Sequence, residues 1–122
     1  MANKVRADRV KETTDLTGQD NATLTGNPTG FATFGSACAD GSTFDYTITE
    51  DSSANWETGV GTYIAATNTV ERTIIVASSN SNNKVTFGSN LKYIFITVNS
   101  STHSLNDKTL SKATALSIAL GG

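Results

Sequence analysis

Cys38, His103 and Pro28 are the only residues of their kinds in a chain of 122. One cysteine excludes an intramolecular disulfide and a cysteine-built zinc site. One histidine leaves His103, in a Ser/Thr-rich stretch, as the sole imidazole for a Ser-His-Asp arrangement, and we read it as a solvated loop residue. Cys38 has no basic neighbour in sequence to lower its pKa, so we expect a buried free thiol rather than a nucleophile. Charge is also scarce: 16% of residues are charged and the net charge is -2. Nucleic acid is therefore not an expected partner, because counterion release needs a basic face. No apolar run approaches the ~18 residues of a membrane span, and no membrane partner is expected. The start, MANKVRADRVKE, has no apolar stretch of the kind a cleaved leader carries, and on that expectation the N-x-S/T matches at Asn21 and Asn99 are chance.

What is abundant is Thr, Ser, Asn and Gly. The β-branched side chains favour strands, and the length suits one domain with a core of its own. Arg9–Thr14 and Ala22–Thr25 read as short strands around a turn-rich DLTGQDN. GNPTG is a break, and Thr33 is placed to cap a single helical turn over Phe34–Ala39. Phe44–Glu50 alternates Phe44, Tyr46 and Ile48 against Asp45, Thr47 and Thr49, the pattern of a half-buried strand.

Trp56–Ile64 and Thr69–Ser78 read as a strand pair joined by AATNT, where Asn68 suits positive φ. On the first, Trp56, Thr58, Val60, Thr62 and Ile64 share a face, and Trp56 is expected to pack in the core. Gly59 and Gly61 leave the other face nearly bare, which predicts a close approach, a bulge or a bend. On the second, Val70, Ile74 and Val76 are expected on one face. Val85–Phe87 and Lys92–Val98 read as a further hairpin around GSN. The sum is an all-β fold, a single antiparallel β-sandwich or barrel-like domain of about seven or eight short strands.

Composition shifts after residue 98. We read residues 1–98 as the domain, with a short N-terminal arm over Met1–Ala7, and residues 99–122 as a C-terminal docking arm. In that arm Leu110, Leu116, Ile118 and Leu120 alternate with small residues and need something to dock on. The basic start, with Lys4, Arg6, Arg9 and Lys11, is the other candidate contact region.

Motifs for chemistry are missing. Glu50, Asp51 and Glu57 bracket a loop, and Asp15 and Asp20 another. Neither set has calcium-loop spacing, and we read both as solvated charge rather than a metal site. GVGTY lies inside a strand pattern and opens no helix, so it is no dinucleotide fingerprint. The aromatics Phe31, Phe34, Phe44, Tyr46, Trp56, Tyr63, Phe87, Tyr93 and Phe95 are expected mostly in the core. No catalytic residue, metal or cofactor is expected, and the chain is not expected to be an enzyme.

Taken in order, ADRVKETT, TLTG, GFATF, a turn ending in DG, a Y-x-I strand, NWE-x-G-x-GTY, ERT-x-x-x-ASSN, V-x-F and a closing aromatic strand resemble a small domain of tailed-bacteriophage virion proteins. That domain occurs as a short stand-alone protein and at the N-terminus of longer fibre-like proteins. The resemblance runs from Ala7 to about Val98, and its most specific pieces are NWE-x-G-x-GTY and ERT-x-x-x-ASSN. It implies a virion structural subunit. From their places in the strand pattern, Trp56, Gly59, Gly61, Tyr63 and Arg72 are expected in structural roles. A capsid decoration or cement protein is the first expectation, bound through its body and arms to the major capsid protein and self-associating on the particle. A tail or fibre-attachment component, bound to a tail protein, is the alternative, and a carbohydrate-binding module the third.

Overall fold

The side chains of TFDYTITE alternate large apolar with Thr and acid, and this segment becomes the central strand of the sheet. The computed structural model describes residues 4–100. In chain order it contains β1 (Lys11–Thr14), β2 (Ala22–Thr23), a one-turn helix α1 (Phe34–Ala37), β3 (Thr43–Glu50), β4 (Trp56–Ile64), β5 (Thr69–Ser78) and β6 (Lys92–Ile96). The six strands form one antiparallel sheet in the order β1-β6-β3-β4-β5-β2. Its two ends meet. Thr14 bridges Leu24 just beyond β2, the Thr13 amide donates to Gly26 O at 2.8 Å, and the Thr25 amide donates to Thr13 O at 2.9 Å. The sheet is thus a nearly closed barrel, which hides edges that would otherwise pair with other chains.

Closure needs local bending, and β4 and β5 supply it. Thr58 faces Ala77 while Gly59 faces Ile75, and Val60 faces Ile74 while Gly61 faces Arg72. Val76 and Thr73 are therefore the extra residues of two bulges, which increase twist and bend the strand pair. The expected face of Val70, Ile74 and Val76 does not survive them: Val70 is buried, but Ile74 turns outward and is 55% exposed.

The same pair corrects the reading of β4. Its inward face is the glycine face, with Glu57, Gly59, Gly61 and Tyr63 all buried. Trp56 stands on the outside, 40% exposed, and is not a core residue. The reason is room. The rings of Phe44 and Tyr46 and the Val70 side chain occupy the space that side chains at Gly59 and Gly61 would fill. A Cβ on Gly61 would lie 2.7 Å from Val70 Cγ1, and one on Gly59 would lie 2.0 Å from the Ile74 carbonyl oxygen. The close approach expected at these glycines is present.

Phe34, Phe44, Tyr46, Ile48, Val70 and Ile94 fill the barrel, with Leu16, Leu24, Val85 and Phe87 around them. α1 closes one part of this core. The Thr33 hydroxyl caps it by accepting from the Ser36 amide, which sets Phe34 against Phe44 with ring centroids 5.1 Å apart. The helix ends at Ala37 with Cys38 as its cap, shorter than the expected span to Ala39. Asn68 takes positive φ, as expected of the β4–β5 turn.

Three further expectations give way. Among the described residues six strands form rather than seven or eight. Val85–Phe87 does not pair with β6. Phe87 instead exchanges both backbone hydrogen bonds with Gly18, at 2.8 and 3.0 Å, because the neighbouring Val85 amide and carbonyl are taken by side chains inside the barrel. Arg9 is not a strand residue: its φ is 58°, in a turn ahead of β1. At the chain's start, residues 4–7 lie against the body, with the Val5 amide donating to Thr43 O at 2.7 Å. At the other end Asn99 is buried and its Nδ2 donates to Gly59 O at 2.8 Å, so the packed body reaches past residue 98. Leu110, Leu116, Ile118, Leu120 and His103 lie outside the described residues.

Candidate functional site

Three clusters of charged or polar side chains could carry chemistry. The first is inside. Glu57 of β4 and Arg72 of β5 project into the core and are both fully buried. Arg72 donates Nε to Glu57 Oε2 at 2.8 Å and Nη2 to Glu57 Oε1 at 2.6 Å, the two-pronged pairing its planar fork allows. The remaining donors reach the carbonyls of Gly18, Asp20 and Val85. All the N–H groups of the guanidinium are thereby used. Glu57 is equally saturated, accepting also from the Tyr46 hydroxyl and the Val85 amide.

This saturation decides what the cluster can do. Burial alone would raise the Glu57 pKa, but the hydrogen bonds from Arg72, Tyr46 and Val85 outweigh it and hold the carboxyl below its ordinary value. Burial, reinforced by the adjacent Glu57 carboxylate, pushes the Tyr46 phenol well above its ordinary range. Each group is held in one protonation state, out of contact with solvent. The cluster ties β3, β4, β5 and two loops together; it has no free valence for a substrate.

The second cluster joins β3 to the loop before β6. Glu50 and Lys92 face each other in register and are both buried. Glu50 accepts from Asn55 Nδ2 at 2.9 Å and from the Gly88 and Asn90 amides at 3.2 Å, while Lys92 Nζ donates to the carbonyls of Gly88 and Asn90. The two side chains thus clamp the amides and carbonyls of one loop. The hydrogen bond from Asn55 is the main cause that lowers the Glu50 pKa, with the loop amides and Lys92 adding to it. The reading of Glu50 and Glu57 as solvated loop charges is therefore wrong. Each has partners distant in sequence that no local pattern displays. Among the described residues no group of His, Cys, Asp and Glu is arranged to hold a metal ion.

The third is on the surface. Lys4 pairs with Asp45 at 2.9 Å beside a cleft of about 280 Å³ that Arg6 and Val98 also line. Asp45, expected to face solvent, is buried under this contact. Arg9 donates Nε to Gly30 O at 3.0 Å, and its guanidinium lies 4.1 Å from the Phe31 ring centroid. Lys11 extends its ammonium among three rings, 4.5 Å from the centroid of Tyr93, 5.1 Å from Phe31 and 5.7 Å from Phe95.

The structure thus separates the candidate basic residues. Lys4 belongs to an ion pair, Arg6 is exposed at the cleft, and Arg9 joins Lys11 in an aromatic cluster. Phe31, Tyr93, Phe95 and Trp56 are not core residues, contrary to expectation. In KYIFI, apolar residues occupy both faces of the strand, so alternation cannot say which side is in. Tyr63 is buried with its hydroxyl donating to Asn68 Oδ1 at 2.9 Å, and Arg72 is buried in its pair with Glu57. Cys38 is buried, and burial raises its thiol pKa. Comparison with protein-family models, with curated proteins and with solved structures finds no match to this chain.

Proposed function

We propose that this chain is a non-catalytic structural protein of a tailed-phage virion, first a decoration protein seated on the capsid shell. The observation that supports this reading is where the two most specific motif pieces go. Glu57 and Gly61 of NWE-x-G-x-GTY meet Arg72 of ERT-x-x-x-ASSN across β4 and β5, through the buried ion pair and the Gly61–Arg72 register. The residues that carry the resemblance are thus one packed unit that specifies a barrel. What remains for function is its surface and its chain ends. Among the described residues the nearly closed sheet offers no long open edge, which suits a module that sits on a partner by its faces.

Mixing the purified chain with shells that lack it, and separately with isolated tails, tests the reading by co-sedimentation. Pelleting with shells at saturable stoichiometry is the expected outcome. Pelleting with tails alone would replace decoration by the attachment role, and pelleting with neither would overturn the virion reading.

A further inference from the structure

We infer that the outer face of β1, β6 and β3, centred on Lys11, is a docking surface for a protein partner that presents carboxylates beside apolar side chains. The face is defined by register. Lys11, Phe95 and Thr47 lie in one row across the strands, and Tyr93, Thr49 and Trp56 lie in the next. With strands about 4.8 Å apart, Tyr93 and Trp56 stand about 10 Å apart on one side of the barrel. Of the five Phe, three Tyr and one Trp, those not in the core are Phe31, Tyr93, Phe95 and Trp56. Phe31 joins the rows through Lys11, so all four lie on this one side. Aromatic residues and Arg are enriched at protein interfaces relative to the rest of the surface.

Charge selects the occupant. No carboxylate lies in the two rows. Among the described residues neither Arg9 nor Lys11 makes an ion pair, the Lys11 ammonium donates to no protein acceptor, and the terminal nitrogens of Arg9 donate to none. Both cations are nonetheless held in place. Three rings surround Lys11, and Arg9 adopts positive φ, with its carbonyl accepting from the Ala32 amide and its side chain lying on Phe31. A strained, non-glycine φ that points a cation outward is a feature to be explained by use. Fixed cations with spare donors bind carboxylates at little ordering cost. The same stacking disfavours a sugar or a single-stranded nucleic acid at the centre of the face, since both need open ring faces, and here cations sit over Phe31, Tyr93 and Phe95.

This inference rests on the proposed reading only for where the partner is found; the test below uses no particle, so the two fail separately. The isotope-labelled full chain is titrated with poly-L-glutamate and followed by amide NMR shifts, with dextran and oligothymidylate in parallel. The expected result is saturable shifts at Lys11, Phe31, Tyr93 and Phe95 with polyglutamate alone, weakening as salt rises. The double variant Lys11→Gln, Arg9→Asn should bind at least tenfold more weakly, with Asn chosen because it tolerates positive φ. Shifts located elsewhere, unchanged binding by the double variant, no saturable binding, or binding of dextran or oligothymidylate at this face would each overturn it.

Discussion

Glu57 and Arg72 show how much a single contact can hold. Each is fully buried, and each satisfies the other's charge. Removing one partner leaves the other as an uncompensated buried charge, which costs about 3–5 kcal/mol. Arg72→Met should therefore lose stability in that range by urea unfolding; a loss below about 1 kcal/mol would show that the pair is not a fastener of the fold. Trp56→Ala should behave in the opposite way. With its ring on the outer face, 40% exposed, truncation should cost less than about 1.5 kcal/mol, short of the 3–5 kcal/mol typical of a buried aromatic. A larger loss on chemical unfolding would return Trp56 to the packed interior. Sequence alone could not separate these residues. Arg72 was assigned a structural role, but Glu57 and Glu50 looked like loop charge, because apart from Asn55 their partners lie 11 to 40 positions away in the chain.

At the scale of the element, β4 is the instructive case. Its limits, its glycine gaps and its pairing with β5 were readable from residue types and turn chemistry, as were β3, α1 and the Asn68 turn. Which face points inward was not, because side-chain size suggested Trp56, Val60 and Ile64, while the decisive fact was the bulk of Phe44 and Tyr46 on the neighbouring strand. Gly59 now offers a signed test. Strand propensity alone would make Gly59→Ala a gain of about 0.5–1 kcal/mol. The new Cβ would instead meet the Ile74 carbonyl oxygen at 2.0 Å, a backbone atom fixed by a bulge. The substitution should lower the melting temperature, and an increase would mean that the strand pair can open there freely. β6 was legible as a strand but not as a surface, since KYIFI is apolar on both sides. The aromatic cluster around Lys11 depends on register, which is a tertiary property.

For the whole molecule, the buried ionisable groups set a pH window. Glu50 and Glu57 are held below their ordinary value near 4.5, so the unfolded chain takes up protons first as pH falls. Stability should be full above that value and decline as pH drops through it. Tyr46 is raised above its ordinary value of 10.0, so the unfolded chain loses its phenolic proton first, and stability should decline again as pH rises beyond it. Urea midpoints measured against pH should show a plateau between these limits; a flat acid limb would mean that the two carboxylates are not depressed in the folded state.

The reading of this chain as a component of a virion shell stands or falls on where it is found and how often. The most direct measurement is its copy number in purified particles, by quantitative mass spectrometry against the major capsid subunit. Decoration predicts a count comparable with that of the shell subunits. A count of a few copies per particle would contradict decoration in favour of attachment at the tail, and absence from purified particles would contradict the virion assignment itself.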